Sequence, residues 1–271
     1  MALANRDELR LPPLLRLMAA VAALTIILPI AALLWRAQWG TFFQDIATSS
    51  AMSALQLSFV TAFITTAICL LFGIPLAFYL ARSNTWLATV IRVLINLPLV
   101  MPPLVGGLAL LMLFGRRGII GGPIYDATGF LLPFSTPAVV VAQVFVAMPF
   151  MVISVEGVLR GIDPSFASTA SSLGATPWTV LRRVVLPLAR PGLLAGAVLT
   201  FARALGEFGA TALFAGNREG ITQTMPLAIY TAFNGGGVST SAAIALAILL
   251  MAAAFGIMIA TKAWYPKKKQ P

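Results

Sequence analysis

The chain has 271 residues, of which 59% are hydrophobic and only 10% charged, against about 25% charged in ordinary soluble domains, so it reads as a membrane protein. Its single cysteine, Cys69, excludes an intrachain disulfide, and the absence of histidine removes the commonest metal ligand and general base. The formal charge of +10 gathers at the ends of apolar runs, where basic residues set membrane orientation, and this argues against a nucleic-acid partner.

A helix that crosses a hydrocarbon layer of roughly 30 Å needs about 20 apolar residues. Six stretches meet that length: 17–35, 51–80, 90–114, 136–159, 192–214 and 242–264. They are long and continuous, without the alternation of a barrel strand, so helices are expected. The expected fold class is all-α: a polytopic membrane protein of about six transmembrane helices, with a cytoplasmic N-terminal segment 1–16, a transmembrane domain 17–264 and a basic tail 265–271.

The first run follows Arg6, Arg10 and Arg16. It exceeds the roughly 7 to 15 residues of a signal-peptide core and has no small-residue cleavage site after it, so it is expected to be retained. With the N-terminus inside, the cytoplasmic side receives these arginines with Arg82, Arg92, Arg160, Arg182, Arg183, Arg190, Lys262, Lys267, Lys268 and Lys269. The outside receives Arg36, Arg116, Arg117 and Arg218, while Arg203 falls within a span. That bias predicts both termini in the cytoplasm.

The third run carries the string NLPLVMPPLVGG, with Asn96, Pro98, Pro102, Pro103, Gly106 and Gly107. Proline in a helix interior removes a donor and clashes with the preceding turn, so this span is expected to be kinked or broken. Broken backbone at membrane depth is tolerated where protein or water covers it. Each proline alone is as consistent with a packing kink; the cluster favours a transport path. In the following external loop, Arg116 and Arg117 form either an anion-attracting or partner-docking rim or a pair of solvated arginines.

Between the fourth and fifth runs lies a polar cytoplasmic insert from Asp163 to Pro187, DPSFASTASSLGATPWTVLRRVVLP. Asp163 before Pro164 and Thr176 before Pro177 are two helix starts. Gly174 is expected to end the first helix in a left-handed conformation, and Pro187 to stop the second. The resulting helix-turn-helix is expected to expose Phe166, Leu173, Trp178 and Leu181. Such a surface suits insertion into another protein's groove; lying on lipid is the competing reading.

Along the fifth run, Gly192, Gly196, Thr200, Arg203, Glu207, Ala210 or Thr211, and Phe214 are expected on one helical face. Gly192 and Gly196 permit close helix approach. Arg203 and Glu207 near mid-span are spaced to pair, and ionised residues at that depth are costly. The favoured reading is a buried pair that fixes packing, at an interface between two copies, with Arg203 the better placed to contact cargo. A gating or proton-coupling carboxylate is the alternative. In the last external loop Thr224 is expected to cap a short helix with Pro226 in its first turn, ended by Gly235, Gly236 and Gly237. The tail lysines are expected to contact lipid headgroups.

The insert resembles the signature loop of the transmembrane subunits of bacterial ABC importers: Glu-Ala-Ala, three residues, Gly, nine residues, an aliphatic, one residue, Leu-Pro. Here Ser168, Thr169 and Ala170 are followed by Gly174, Val184, Leu186 and Pro187. Ser168 stands where the family usually has Glu and Thr169 where it usually has Ala, so a charged contact to the ATPase is either missing or supplied elsewhere. The strings LPLVMPPLVGG, FGRRG, FARALGEFGATALFAGN and TQTMPLAIY further resemble molybdate/tungstate permeases; the sulfate/thiosulfate permeases are the alternative.

The resemblance implies a homodimer in a bacterial or archaeal inner membrane, two cytoplasmic ATPase subunits that bind ATP and Mg, and an external oxyanion-binding protein. It implies coupling through Asp163, Pro164, Phe166, Ser168, Ala170, Gly174, Ala175 and Trp178. The chain has no GxxxxGK[ST] string, so no catalytic, cofactor or metal residue is expected on it. A weak-binding pathway is expected among Asn96, Pro102, Pro103, Thr200, Arg203, Glu207 and Thr211. A secondary transporter working alone is the rival of a different class, and leaves the insert without a role.

Overall fold

The computed structural model describes residues 12–263. Arg6, Arg10, the last residue of the sixth expected span at Trp264 and the tail 265–271 lie outside them. The described residues form helices α1 (Pro13–Arg36), α2 (Phe42–Ile46), α3 (Ser49–Arg82), α4 (Trp86–Val100), α5 (Pro103–Phe114), α6 (Gly121–Thr128), α7 (Thr136–Gly161), α8 (Pro164–Ser172), α9 (Pro177–Val180), α10 (Leu186–Leu205), α11 (Gly209–Phe214), α12 (Met225–Phe233) and α13 (Thr240–Ala263). A π-helical turn, Leu181–Val185, joins α9 to α10. Five helical segments are long and apolar enough to cross a membrane, or six if the bent pair α4 and α5 is one span.

Packing radiates from α7, which lies against α3 and α10 and touches α4, α5 and α11. In its most apolar stretch 61% of residues are buried, whereas none is buried in α1, which touches α13. Small residues make the close contacts possible. A methyl added at Gly192 would lie 2.3 Å from Val158 Cγ2, and one at Gly73 2.9 Å from Met151 Cγ. The expected approach of the fifth span through Gly192 is therefore a contact with α7. The inward end is held by Cys69, Leu80, Met151 and Val155. The opposite end is held by Leu110, Val139, Ala210 and Phe214.

The third expected span is two helices bent by 120°. Pro102 and Pro103 are its physical cause: Met101 takes the extended backbone favoured before proline (ψ 135°), and α5 restarts with Pro103 in its first turn. Pro98, by contrast, stays inside α4.

Two expectations for the fifth span are corrected. Residues 192–214 do not form one continuous helical face: α10 ends at Leu205, Phe208 is extended (φ −131°), and α11 restarts at Gly209. Nor does Pro187 stop the insert's second helix. The run Pro177–Leu205 is continuous, because the wide π turn, with Leu186 N–H bonded to Leu181 C=O, relieves the clash that Pro187 would make in a regular α-helix.

The short helix after Thr224 is α12, and it is buried through Met225, Leu227 and Ala228 against α3 and α13 rather than lying in a loop. Thr224 occupies the cap position, yet its hydroxyl does not cap. Ser58 Oγ on α3 accepts the Met225 N–H at 2.7 Å instead. Glycines 235 and 237, both at positive φ, follow the helix as expected.

Candidate functional site

The cytoplasmic insert is built by local capping. Asp163 Oδ1 accepts the Ser165 N–H at 2.8 Å, and this backbone bond, with the Ser165 side chain second, holds the carboxyl below its ordinary range. The first helix closes at Gly174 (φ +82°): Ala175 N–H returns to Ala170 C=O at 3.1 Å and Gly174 N–H to Ser171 C=O at 3.0 Å. That paired closure needs a left-handed residue at its centre. Thr176 Oγ1 accepts the Thr179 N–H at 3.3 Å, opening α9 behind Pro177.

The product presents Phe166 (54% exposed), Leu173 (84%) and Trp178 (68%). Leu181, expected to be exposed with them, is half-buried. It lines a groove of about 780 Å³ between α3 and the insert, together with Pro75, Phe78, Arg82 and Trp178. The reason is continuity with α10, which turns Leu181 back toward α3. Ser168 is exposed and its hydroxyl donates to Ser165 C=O at 3.0 Å, so it offers no counterpart to a projecting carboxylate.

Within the membrane, Arg203 and Glu207 pair at 2.6 Å. Glu207 is 1% exposed, and its Oε1 also accepts the Ala210 N–H at 2.8 Å, so it caps α11 across the break that separates it from Arg203. A buried carboxylate needs such partners for both oxygens. Thr200, Thr211 and Thr224 are buried, and their hydroxyls have no hydrogen-bond partner among the described residues. Leaving a buried hydroxyl unsatisfied costs about 1 to 3 kcal/mol, which marks α10, α11 and the start of α12 as a belt with spare bonding capacity.

Pro103 packs against Gly209, where an added methyl would lie 2.5 Å from Pro103 Cβ. The bent span and the α10–α11 break therefore meet. Pro102 is exposed and Asn96 half-buried on α4; no hydrogen bond among the described residues joins Asn96 to Thr200 or Thr211. Toward the outer end, the Arg116 guanidinium stacks 4.6 Å above the Tyr125 ring, while Arg117 is exposed. The expected rim pair is thus divided.

Sequence reasoning missed a cluster at the inward end. Glu156 Oε1 on α7 accepts from Arg92 Nε at 2.9 Å and from Arg160 at 2.9 Å, and Arg92 also donates to Leu80 C=O at 3.0 Å. Both arginines read only as orientation charges. The four-residue step from Glu156 to Arg160 was the available signal; the tie to Arg92, 64 residues away, had none.

Residues 73–269 match the family model for binding-protein-dependent transport system inner membrane components. The chain belongs to that family. The match takes in the second half of α3, the bent span, the insert and all that follows. The molybdenum transport system permease protein ModB of Mycobacterium tuberculosis is 45% identical over 256 residues, covering 94% of this chain and 96% of the relative. ModB of Escherichia coli is 37% identical, covering 79% and 93%. A probable molybdenum ABC transporter permease protein of Haloferax volcanii is 37% identical, covering 90% and 86%. Among solved structures, a bacterial ABC transporter involved in the import of alginate aligns at TM-score 0.65 with 17% identity, covering 93% and 96%. The MetNI methionine ABC transporter aligns at TM-score 0.58 with 20% identity, covering 78% and 92%. At such identities the likeness establishes the fold alone. The chain is a multi-pass inner-membrane component of a transport system.

Proposed function

We propose that this chain is the membrane-spanning permease subunit of a molybdate importer, driven by ATP hydrolysed on separate subunits. The observation that carries the reading is 45% identity over 94% of the chain to a molybdenum permease. The sulfate/thiosulfate alternative is not favoured, since the relatives named here are molybdenum systems; tungstate, an oxyanion of the same tetrahedral shape and charge, stays within the proposed cargo class.

In this reading two copies form the pathway, with both termini cytoplasmic. Two ATPase subunits, holding ATP and Mg, dock on Phe166, Leu173 and Trp178. A binding protein delivers the dianion on the outer side. Closure of the ATPase pair moves the capped insert, and the spans alternate between inward-open and outward-open. A docked helix transmits that motion only if its affinity differs between the two states.

The spans bind cargo weakly. Arg203 is neutralised by Glu207, and the spare hydroxyls of Thr200, Thr211 and Thr224 offer hydrogen bonds without charge. Selectivity then rests largely with the binding protein.

Reconstitution tests the proposal. Vesicles with the permease, its ATPase and loaded binding protein should accumulate molybdate only with ATP on the ATPase side, and excess sulfate should compete poorly. Transport by the permease alone on an ion gradient, without ATP, would sink the reading in favour of a secondary transporter.

A further inference from the structure

We propose that Glu156 is a positioning residue that ties the stem of the cytoplasmic insert to the bent span, and so carries the insert's movement into the membrane. The inference rests on the coupling role of the insert proposed above, and adds the means by which its motion reaches the pathway.

Glu156 lies in the last two turns of α7, seven residues before the cap at Asp163. It is 7% exposed, and one carboxylate oxygen takes both Arg92 and Arg160. Arg92 uses its other edge on Leu80 C=O, at the inward end of α3. Four points are thus fixed around one oxygen: the stem of the insert, α4, the end of α3, and the Arg160 turn. Arg160 itself lines a groove with Arg82, Asp163 and Pro164, so the cluster reaches the insert's first helix.

The tie matters because of what α4 leads to. It is the first half of the bent span, whose second half begins with Pro103 against Gly209. Beyond Gly209, α11 is capped by Glu207, which is held by Arg203. A shift of α7's end therefore drags α4 through the Arg92–Glu156 bond and reaches the α10–α11 break from a second direction, independent of the Pro177–Leu205 run. Charge repulsion also bears on the site. Arg92 and Arg160 converge on one carboxylate, so removing its charge leaves two cations facing each other in a mostly buried place, and the tie is replaced by repulsion.

The experiment uses the complete transporter, with ATPase and binding protein, in proteoliposomes, and reads molybdate moved per ATP hydrolysed. E156Q and R92Q should each lower that ratio at least about fivefold while ATPase subunits still copurify. E156D should recover most of it. The double variant E156Q/R92Q should be no worse than the poorer single variant, since both remove one interaction. A ratio for E156Q within twofold of the unmodified protein overturns the proposal, as do multiplying effects in the double variant or loss of the ATPase subunits from E156Q alone. Unmodified permease that copurifies with no ATPase sinks the importer reading instead.

Discussion

Gly174 shows how much one dihedral can hold. Its φ of +82° lets two backbone bonds close the first insert helix, and nothing lies within 4 Å of the position a Cβ would take. Gly174→Val therefore meets backbone strain, not collision, at about 1 to 2 kcal/mol. ATP-dependent uptake should fall while membrane content, measured by blotting, is unchanged; unaltered uptake would count against the docking role. Asp163 gives a pH signature with a definite sign. Its carboxyl is depressed when folded, so the cap's contribution is complete above the ordinary value of 3.8 and lost only as pH falls through the lower folded value. Amide exchange at Ser165, corrected for intrinsic rate, should show constant protection from pH 7 to 5 and loss at every pH in Asp163→Ala. These positions were legible because caps and left-handed turns are written in neighbouring residues. Thr224 looked the same and behaves differently, because Ser58, 167 residues away, supplies the acceptor.

Among the helices, the breaks divide by cause. The one at Met101 and Pro102 is readable because proline cannot donate and constrains its predecessor. The one at 206–208 is not, since no proline marks it; Glu207 makes it viable by capping α11 from the far side. The π turn misled in the opposite sense, carrying a helix through a proline that should have ended it. The contact between α5 and α11 can be tested directly. A methyl at Gly107 would sit 2.8 Å from Ala210 C=O and 3.1 Å from its Cα, backbone that cannot swing aside. Gly107→Ala should lower the detergent unfolding temperature, whereas Gly157→Ala, with open space in α7, should hold or raise it; equal effects would show that α5 and α11 separate without cost.

For the whole molecule, hydropathy and charge bias made the span count and the family legible, while the central place of α7 and the peripheral place of α1 depended on contacts. Sidedness offers a clean measurement because the chain's only cysteine, Cys69, is fully buried. In a Cys69→Ala background, Leu173→Cys should react with an impermeant maleimide from the cytoplasmic side, and Ile119→Cys (81% exposed) from the outside; the reverse pattern would invert the topology. The uninterrupted run Pro177–Leu205 has a mechanical consequence. Its 29 residues make a lever about 43 Å long, and a tilt of about 5° around its middle moves each tip by about 2 Å. One tip carries Trp178 and the other ends beside Arg203. The Arg203–Glu207 pair, 2.6 Å long, has no slack for such a displacement, so α11 must either travel with the lever or let go of it.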